Sequence, residues 1–260
     1  MIDFPGKYGD WALIAGASEG LGAAFARNLA GRGMNLVLLA RREDRLNSLA
    51  SELKEVYRVT IECQTVDLAD LPAVQQLLNS LNKSIGLLVY NAAFSPIGYF
   101  ADLKTDDLLK IIDVNVRAPL LMSSYLGASM IDHKRGGIVL VSSLAGQQGS
   151  PKIATYAATK AFNTILAEGL WQELESYNID VIATVAGAIR TPGYSRASKQ
   201  KEAPGTLEAA EVAEQTLMAL GKTPVVIPGI FNKIATALMG KVLGRKQRIK
   251  IMFSNTKDLE

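Results

Sequence analysis

The 260-residue chain is 48% hydrophobic, enough to bury a substantial core in one large domain or two small ones. Its single cysteine, Cys63, excludes an internal disulfide framework, and its single histidine, His133, sits in the polar "DHKRGG" with no partner ligands, so no metal site is expected. The net charge of +3 is uneven: residues 231–260 hold seven Lys/Arg against two Asp/Glu, a local +5 that leaves −2 for the rest.

The opening "MIDFPGKYGD" has neither a basic n-region nor an apolar h-region, and no stretch of about 18 uninterrupted apolar residues follows. A soluble, cytoplasmic protein is the expectation. Short runs rich in Val, Ile and Leu ("WALIA", "NLVLLA", "VTIECQTV", "GLLVY", "GIVLVS", "DVIATVA") alternate with stretches of helical periodicity over 21–32, 43–56, 71–81, 106–132 and 156–177. Nearly continuous hydrophobic strands are buried on both faces, which is the habit of a parallel sheet flanked by helices. The pattern predicts an α/β protein of the Rossmann type, with a doubly wound parallel sheet in three layers. No linker or repeat divides the chain, so residues 1–230 are expected to form one domain and residues 231–260 a C-terminal extension. Cys63, in an alternating strand pattern, is expected to be a buried thiol.

In such a sheet, ligands bind beyond the carboxyl ends of the strands, where the strand order reverses. After the first strand comes "GASEGLG", whose Gly16, Gly20 and Gly22 lead into a helix. Glycines there permit a tight turn and a close approach of backbone to a pyrophosphate, which the helix N-terminus attracts. A NAD site would carry an acid at the end of the second strand; this chain has "LLARRED", where Arg41 and Arg42 suit a 2′-phosphate and favour NADP(H). Glu19 brings a negative charge to the same corner and opposes that preference. Asp67, at the end of the third strand, has two readings: an acceptor for the adenine amino group, or the cap of the helix from Leu71.

Tyr156 and Lys160 stand four residues apart on one helix face and so can serve one site. With the glycine cradle, the sequence resembles the short-chain dehydrogenase/reductase family nearly end to end. "AGASEGLG" is similar to the family's TGxxxGxG with Ala15 for Thr, "YNAA" at 90–93 to its NNAG, "DVNVRAP" to its helix Asn motif, "GGIVLVSSLAG" to its serine motif, and "YAATK" to its YxxxK. The resemblance implies a catalytic tetrad of Asn115, Ser143, Tyr156 and Lys160, with Ser143 preferred to Ser142 by its distance from the tyrosine. Tyr156 would be the general acid/base, Lys160 would lower its pKa and bind the nicotinamide ribose, Ser143 would donate to the substrate oxygen, and Asn115 would hold a water that links Lys160 to solvent. Cofactor contacts are implied for Gly16, Ser18, Glu19, Gly20, Leu21, Arg41, Arg42, Asp67, Leu68, Asn91, Ala92, Ala93, Tyr156, Lys160, Gly187, Ile189 and Thr191. Ala93 and Ala186 depart from the family's glycine and proline at the nicotinamide end.

The implied activity is hydride transfer between NADP(H) and a carbonyl or secondary alcohol. "GKYGDWALIAGASEGLG", "GMNLVLLARRED" and "PVVIPG" are most similar to the branch with hydroxysteroid dehydrogenases and long-chain 3-ketoacyl reductases, which implies an apolar substrate. A redox sensor without turnover, or an epimerase or dehydratase using the same cofactor, are the alternatives. Residues 192–204 are expected to form a polar lid, with Phe94 and residues 149–153 as further substrate determinants. Family habit implies a homodimer or homotetramer built on the two long helices that begin near Asp106 and Tyr156. In the tail, Phe231, Ile234, Ala235, Leu238, Met239, Val242 and Leu243 recur at helical spacing before the basic "GRKQRIK". Such a helix docks on protein or lies on anionic lipid; nucleic acid is not expected, because no aromatic platform accompanies the charges.

Overall fold

A computed structural model describes residues 3–197 and 202–257. Residues 198–201 of the expected lid and 258–260 of the expected tail lie outside the described residues. The chain opens with α1 (Phe4–Tyr8), β1 (Trp11–Ala15), α2 (Gly20–Gly31), β2 (Asn35–Ala40), α3 (Glu43–Val56), β3 (Ile61–Thr65), α4 (Leu71–Ser80) and β4 (Ile85–Tyr90). The second half contains α5 (Thr105–Ile112), α6 (Ala118–His133), β5 (Gly136–Ser143), α7 (Ala154–Leu174), β6 (Ile179–Ala186), β7 (Ile189–Arg190), α8 (Pro192–Ala197), β8 (Leu207–Glu208), α9 (Ala209–Ala219), β9 (Val225–Val226), α10 (Ile230–Val242) and α11 (Arg245–Thr256).

Seven strands form one parallel sheet in the order β3-β2-β1-β4-β5-β6-β9, and β7 pairs with β8 in a separate two-stranded ladder. Successive residues of a strand point to opposite faces. Ala12, Ile14, Leu36 and Leu38 therefore enter a core shared with Phe25, Leu29 and Val212. Leu13, Ala15, Val37 and Leu39 enter a second core with Met122, Leu126 and Ala167. Burial on both faces is why these strands read as unbroken apolar runs, and each buried Leu contributes about 1.5–3 kcal/mol. The chain is thus a three-layer Rossmann-type α/β fold, as the alternation predicts.

Two local expectations are corrected. The stretch 106–132 is interrupted: α5 ends at Ile112, a single π turn runs over Asp113–Arg117, and α6 begins at Ala118. Pro119, which has no N–H to give, falls in the first turn of α6, where that loss is tolerated. Cys63 is half-buried, because β3 is the sheet edge and its later residues face solvent. The basic "GRKQRIK" follows the apolar helix as a helix of its own: Gly244 separates α10 from α11, and the basic residues open α11, whose start is capped by Gln247 Oε1 accepting from Gly244 N at 2.9 Å. His133 is exposed at the end of α6, a ring nitrogen 2.7 Å from the Ser129 carbonyl.

The N-terminal helix is pinned to the sheet. Buried Tyr8 donates its hydroxyl to Asp180 Oδ2 at 2.8 Å, and Lys7 Nζ pairs with the same oxygen at 2.5 Å. Tyr8→Phe should therefore lower stability by about 1–2 kcal/mol, read as a lower urea midpoint with unchanged m. An unshifted midpoint would mean that Lys7 alone satisfies Asp180.

Candidate active site

The strand order reverses between β1, whose other neighbour is β2, and β4, which leads on to β5 and β6. At that reversal a cavity of about 710 Å³ opens, and residues from both halves line it. The glycine turn makes its floor. Gly16 has φ +84°, and a Cβ there would lie 2.8 Å from the Ala92 backbone. A Cβ on Gly22 would lie 2.0 Å from the Gly16 carbonyl, which Asn91 Nδ2 also reaches at 2.9 Å. Ala15 O accepts from Asn91 N at 3.0 Å and Ala92 N at 2.9 Å, locking the ends of β1 and β4 together. The first turn of α2 has no side-chain cap, so its N–H groups face the cradle. Uncapped N–H groups behind a turn that side chains would fill fit a dinucleotide pyrophosphate.

Ser18, Glu19, Arg41 and Arg42 form one corner of the cleft. Arg42 donates to Ser18 Oγ at 2.9 Å and pairs with Glu19 Oε1 at 2.9 Å. Arg45, which the sequence argument did not single out, pairs with the other Glu19 oxygen. The acid that weighed against a 2′-phosphate is thus held by two guanidinium groups. Asp67 does not cap α4; Asp70 does, accepting from Ala73 N at 3.0 Å. Asp67 instead lines the cleft beside Leu68, accepting from Ala69 N at 3.0 Å and pairing with Lys110 at 3.1 Å. Burial would raise its pKa, but the Ala69 N–H and the Lys110 ammonium outweigh that and hold the carboxyl below its ordinary value.

Ser143 ends β5 and Tyr156 sits in the first turn of α7, and both line the cleft. One turn on, Lys160 is 2% exposed, its Nζ donating to Val141 O at 2.7 Å and lying 5.5 Å from the Tyr156 ring centroid. Burial lowers the Lys160 pKa from 10.5 to about 8. Burial also pushes the Tyr156 phenol above its ordinary value, and the nearby Ser143 hydroxyl pulls it partly back. That departs from the expected lowering by Lys160, because desolvation is the larger effect here and the ammonium bonds a carbonyl. Ser142 is buried and structural, its Oγ donating to Lys160 O at 2.6 Å and lying 2.7 Å from Thr164 Oγ1.

Asn115 occupies the π turn, a helix defect that recurs at functional sites. It is fully buried: its Oδ1 accepts from Phe94 N at 2.8 Å, and its Nδ2 donates to Phe94 O at 3.0 Å and Thr159 Oγ1 at 3.2 Å. The amide thereby clamps the loop bearing Ala93 and Phe94. Gly187, Ile189 and Thr191 line the cleft after β6, and a Cβ on Gly187 would meet Asn232 Nδ2 at 2.9 Å.

No motif in the sequence marks the C-terminal part of the cleft wall. Asn232 of α10 and Met252, Asn255 and Thr256 of α11 line the cleft with Phe94, Leu144, Ile153 and Tyr194. Thr256 Oγ1 donates to Pro151 O at 2.9 Å, and Arg245 to Gln147 O at 3.4 Å, which ties α11 to the loop after β5. The tail therefore folds back onto the site. A polar Asn232 within an apolar helical pattern was the one available signal; nothing local marked Met252 or Lys110.

A glycine cradle joined to a Ser–Tyr–Lys cluster at the reversal of a parallel sheet defines a dinucleotide-dependent oxidoreductase class. Residues 10–202 match the short chain dehydrogenase family model, and the chain belongs to that family. It is 37% identical over 183 residues to a very-long-chain 3-oxoacyl-CoA reductase of Laccaria bicolor, a match covering 68% of this chain and 54% of the relative, so the chain spans about half of that protein's length. A solved structure from work on 7beta-hydroxysteroid dehydrogenase stereoselectivity superposes with TM-score 0.91 at 29% identity, over 96% of this chain and 99% of that one. A short-chain dehydrogenase from Sphingobium yanoikuyae in complex with NADPH superposes with TM-score 0.76 at 29% identity, over 89% and 96%.

Lys160 has a testable linkage. Its folded pKa lies below its unfolded value, so the cost of burying its charge is present in full below about pH 8 and is relieved as pH rises toward 10.5. Lys160→Met should therefore raise the thermal midpoint by several degrees at pH 7, with the advantage over wild type shrinking toward pH 10. A constant advantage across that range would show that the ammonium is not desolvated.

Proposed function

We propose that the protein is an NADP(H)-preferring carbonyl reductase or alcohol dehydrogenase acting on an apolar ketone or secondary alcohol, with a steroid-like or ketoacyl skeleton as the best-supported class. The observation that carries this reading is the convergence of Ser143, Tyr156 and the buried Lys160, whose Nζ lies 5.5 Å from the Tyr156 ring centroid, on the same cleft as the glycine cradle. Gly16, Gly20 and Gly22 would hold the pyrophosphate, Arg41 and Arg42 the 2′-phosphate, Asp67 and Leu68 the adenine side, and Asn91, Ala92, Ala93, Gly187, Ile189 and Thr191 the nicotinamide side. Bound there, the nicotinamide supplies or accepts the hydride.

In the reductive direction Tyr156 gives its proton to the substrate oxygen, and the Ser143 hydroxyl donates to the same oxygen as negative charge grows on it. Lys160, charged at neutral pH, favours the phenolate that remains and makes its return to the phenol the reset of the cycle. Asn115 keeps the Phe94 loop in place, and so positions the wall against which the substrate lies. Phe94, Leu144, Ile153 and Met252 supply an apolar lining, while Asn255 and Thr256 add a polar edge. Such a lining suits an extended apolar skeleton with one polar end. Leu109, Leu120, Tyr125 and Ile165 are exposed on α5, α6 and α7, which supports a homodimer or larger homo-oligomer through those helices.

NADPH oxidation should be followed with a panel of hydrophobic ketones, steroids and 3-ketoacyl thioesters. Tyr156→Phe should lower kcat by about 10²- to 10⁴-fold while leaving NADPH affinity near the wild-type value. Affinity for NADPH with no compound turned over faster by wild type than by the variant would favour a redox sensor.

Cofactor choice has its own test at Arg45. If Glu19 must be neutralised for a 2′-phosphate to approach, Arg45→Gln raises KM for NADPH several-fold and leaves KM for NADH unchanged, and a second change, Glu19→Gln, restores NADPH. Equal effects on both cofactors would remove Arg45 from that role.

A further inference from the structure

Helix α10 carries two faces with different surroundings. Ile230, Phe231, Ile234, Leu238 and Val242 are 54–73% exposed, and at 100° per residue they fall within an arc of about 120°. The opposite side holds the helix to the protein. Asn232 is buried, donating to Gly205 O at 3.0 Å and Pro228 O at 3.1 Å, and Met239 and Leu243 are half-buried. Five large apolar side chains on one outward stripe are more than scattered surface hydrophobics. They lie on a different helix from the exposed apolar residues of α5, α6 and α7.

The charge around the stripe narrows what covers it. Lys233 borders it on α10 and Lys241 lies within its last turn, and α11 adds Arg245, Lys246, Arg248 and Lys250; residues 230–257 contain no Asp or Glu. A second copy seated on this face would bring two purely cationic segments together, a like-charge arrangement that interfaces avoid. Nucleic acid would neutralise the charge but leave the apolar stripe wet. An anionic bilayer surface satisfies both, taking the stripe into the acyl boundary and the lysines to the headgroups.

We propose that α10, with the first turn of α11, is a docking face for an anionic membrane surface. The same helix presents Asn232 to the cleft, and the neighbouring α11 presents Met252, so the element that rests on lipid is also part of the cavity wall. The inference does not depend on which compound is turned over.

The test is flotation of the full-length protein with vesicles of phosphatidylcholine alone or mixed with phosphatidylglycerol, at low and high salt. Wild type is expected to float with the anionic vesicles, to do so less at high salt, and to stay behind with phosphatidylcholine alone. Ile234→Asp/Leu238→Asp and Lys233→Glu/Lys241→Glu should each weaken binding by more than about tenfold, with circular dichroism melts showing both to be folded. Lys233→Glu/Lys241→Glu alters only exposed cations, so it serves as the test should the first variant fail to fold. Equal flotation of wild type and a folded variant, or none of wild type with anionic vesicles, overturns the proposal. If wild type ignores vesicles and Ile234→Asp/Leu238→Asp dissociates an oligomer in sedimentation, the face belongs to a second copy and the proposal is likewise overturned.

Discussion

The chemistry of this molecule depends on how closely α7 lies against the end of β5. A Cβ on Gly146 would come 2.7 Å from Ala161 N, and Ser142 bonds the Lys160 carbonyl directly. At that separation the Lys160 side chain has nowhere to go but under Tyr156, with its ammonium on the Val141 carbonyl. The packing thus decides three things together: Ser143 and Tyr156 face one cleft, the lysine is desolvated, and all three are held on a strand end and a helix rather than on loops. Burial of a charge is costly unless it is bonded. Here that cost is accepted at the one position where a charge near a phenol is useful.

The two ends of the cleft are built on different physics. Around Tyr156 and Lys160, desolvation dominates, raising the phenol and lowering the ammonium. Around Glu19 and Asp67, charge pairing in partly exposed surroundings dominates, with Glu19 between Arg42 and Arg45 and Asp67 against Lys110. Exposed pairs contribute little stability. Their value lies in presetting the sign of the field that an anionic ligand meets.

The C-terminal helices join these ends to the outside. Because α11 is bonded to the loop after β5, Met252, Asn255 and Thr256 line the cleft although they lie about 100 residues along the chain from the Tyr156–Lys160 pair.

Local signals sufficed for the parallel sheet, the glycine cradle and the residues at its strand ends, because strands buried on both faces must be apolar throughout and a backbone that approaches another backbone needs glycine. The i, i+4 spacing likewise placed Tyr156 and Lys160 on one face without reference to the rest of the chain. The sequence could not tell that Asp67 pairs with Lys110 rather than capping α4, that Asn115 clamps Phe94, that Arg45 shares Glu19, or that Met252 and Thr256 enclose the site. Each of these depends on the distance between elements far apart in sequence. It could not give the direction of the Tyr156 pKa either, since the sign followed from how much water the packing removes, and only the folded chain determines that.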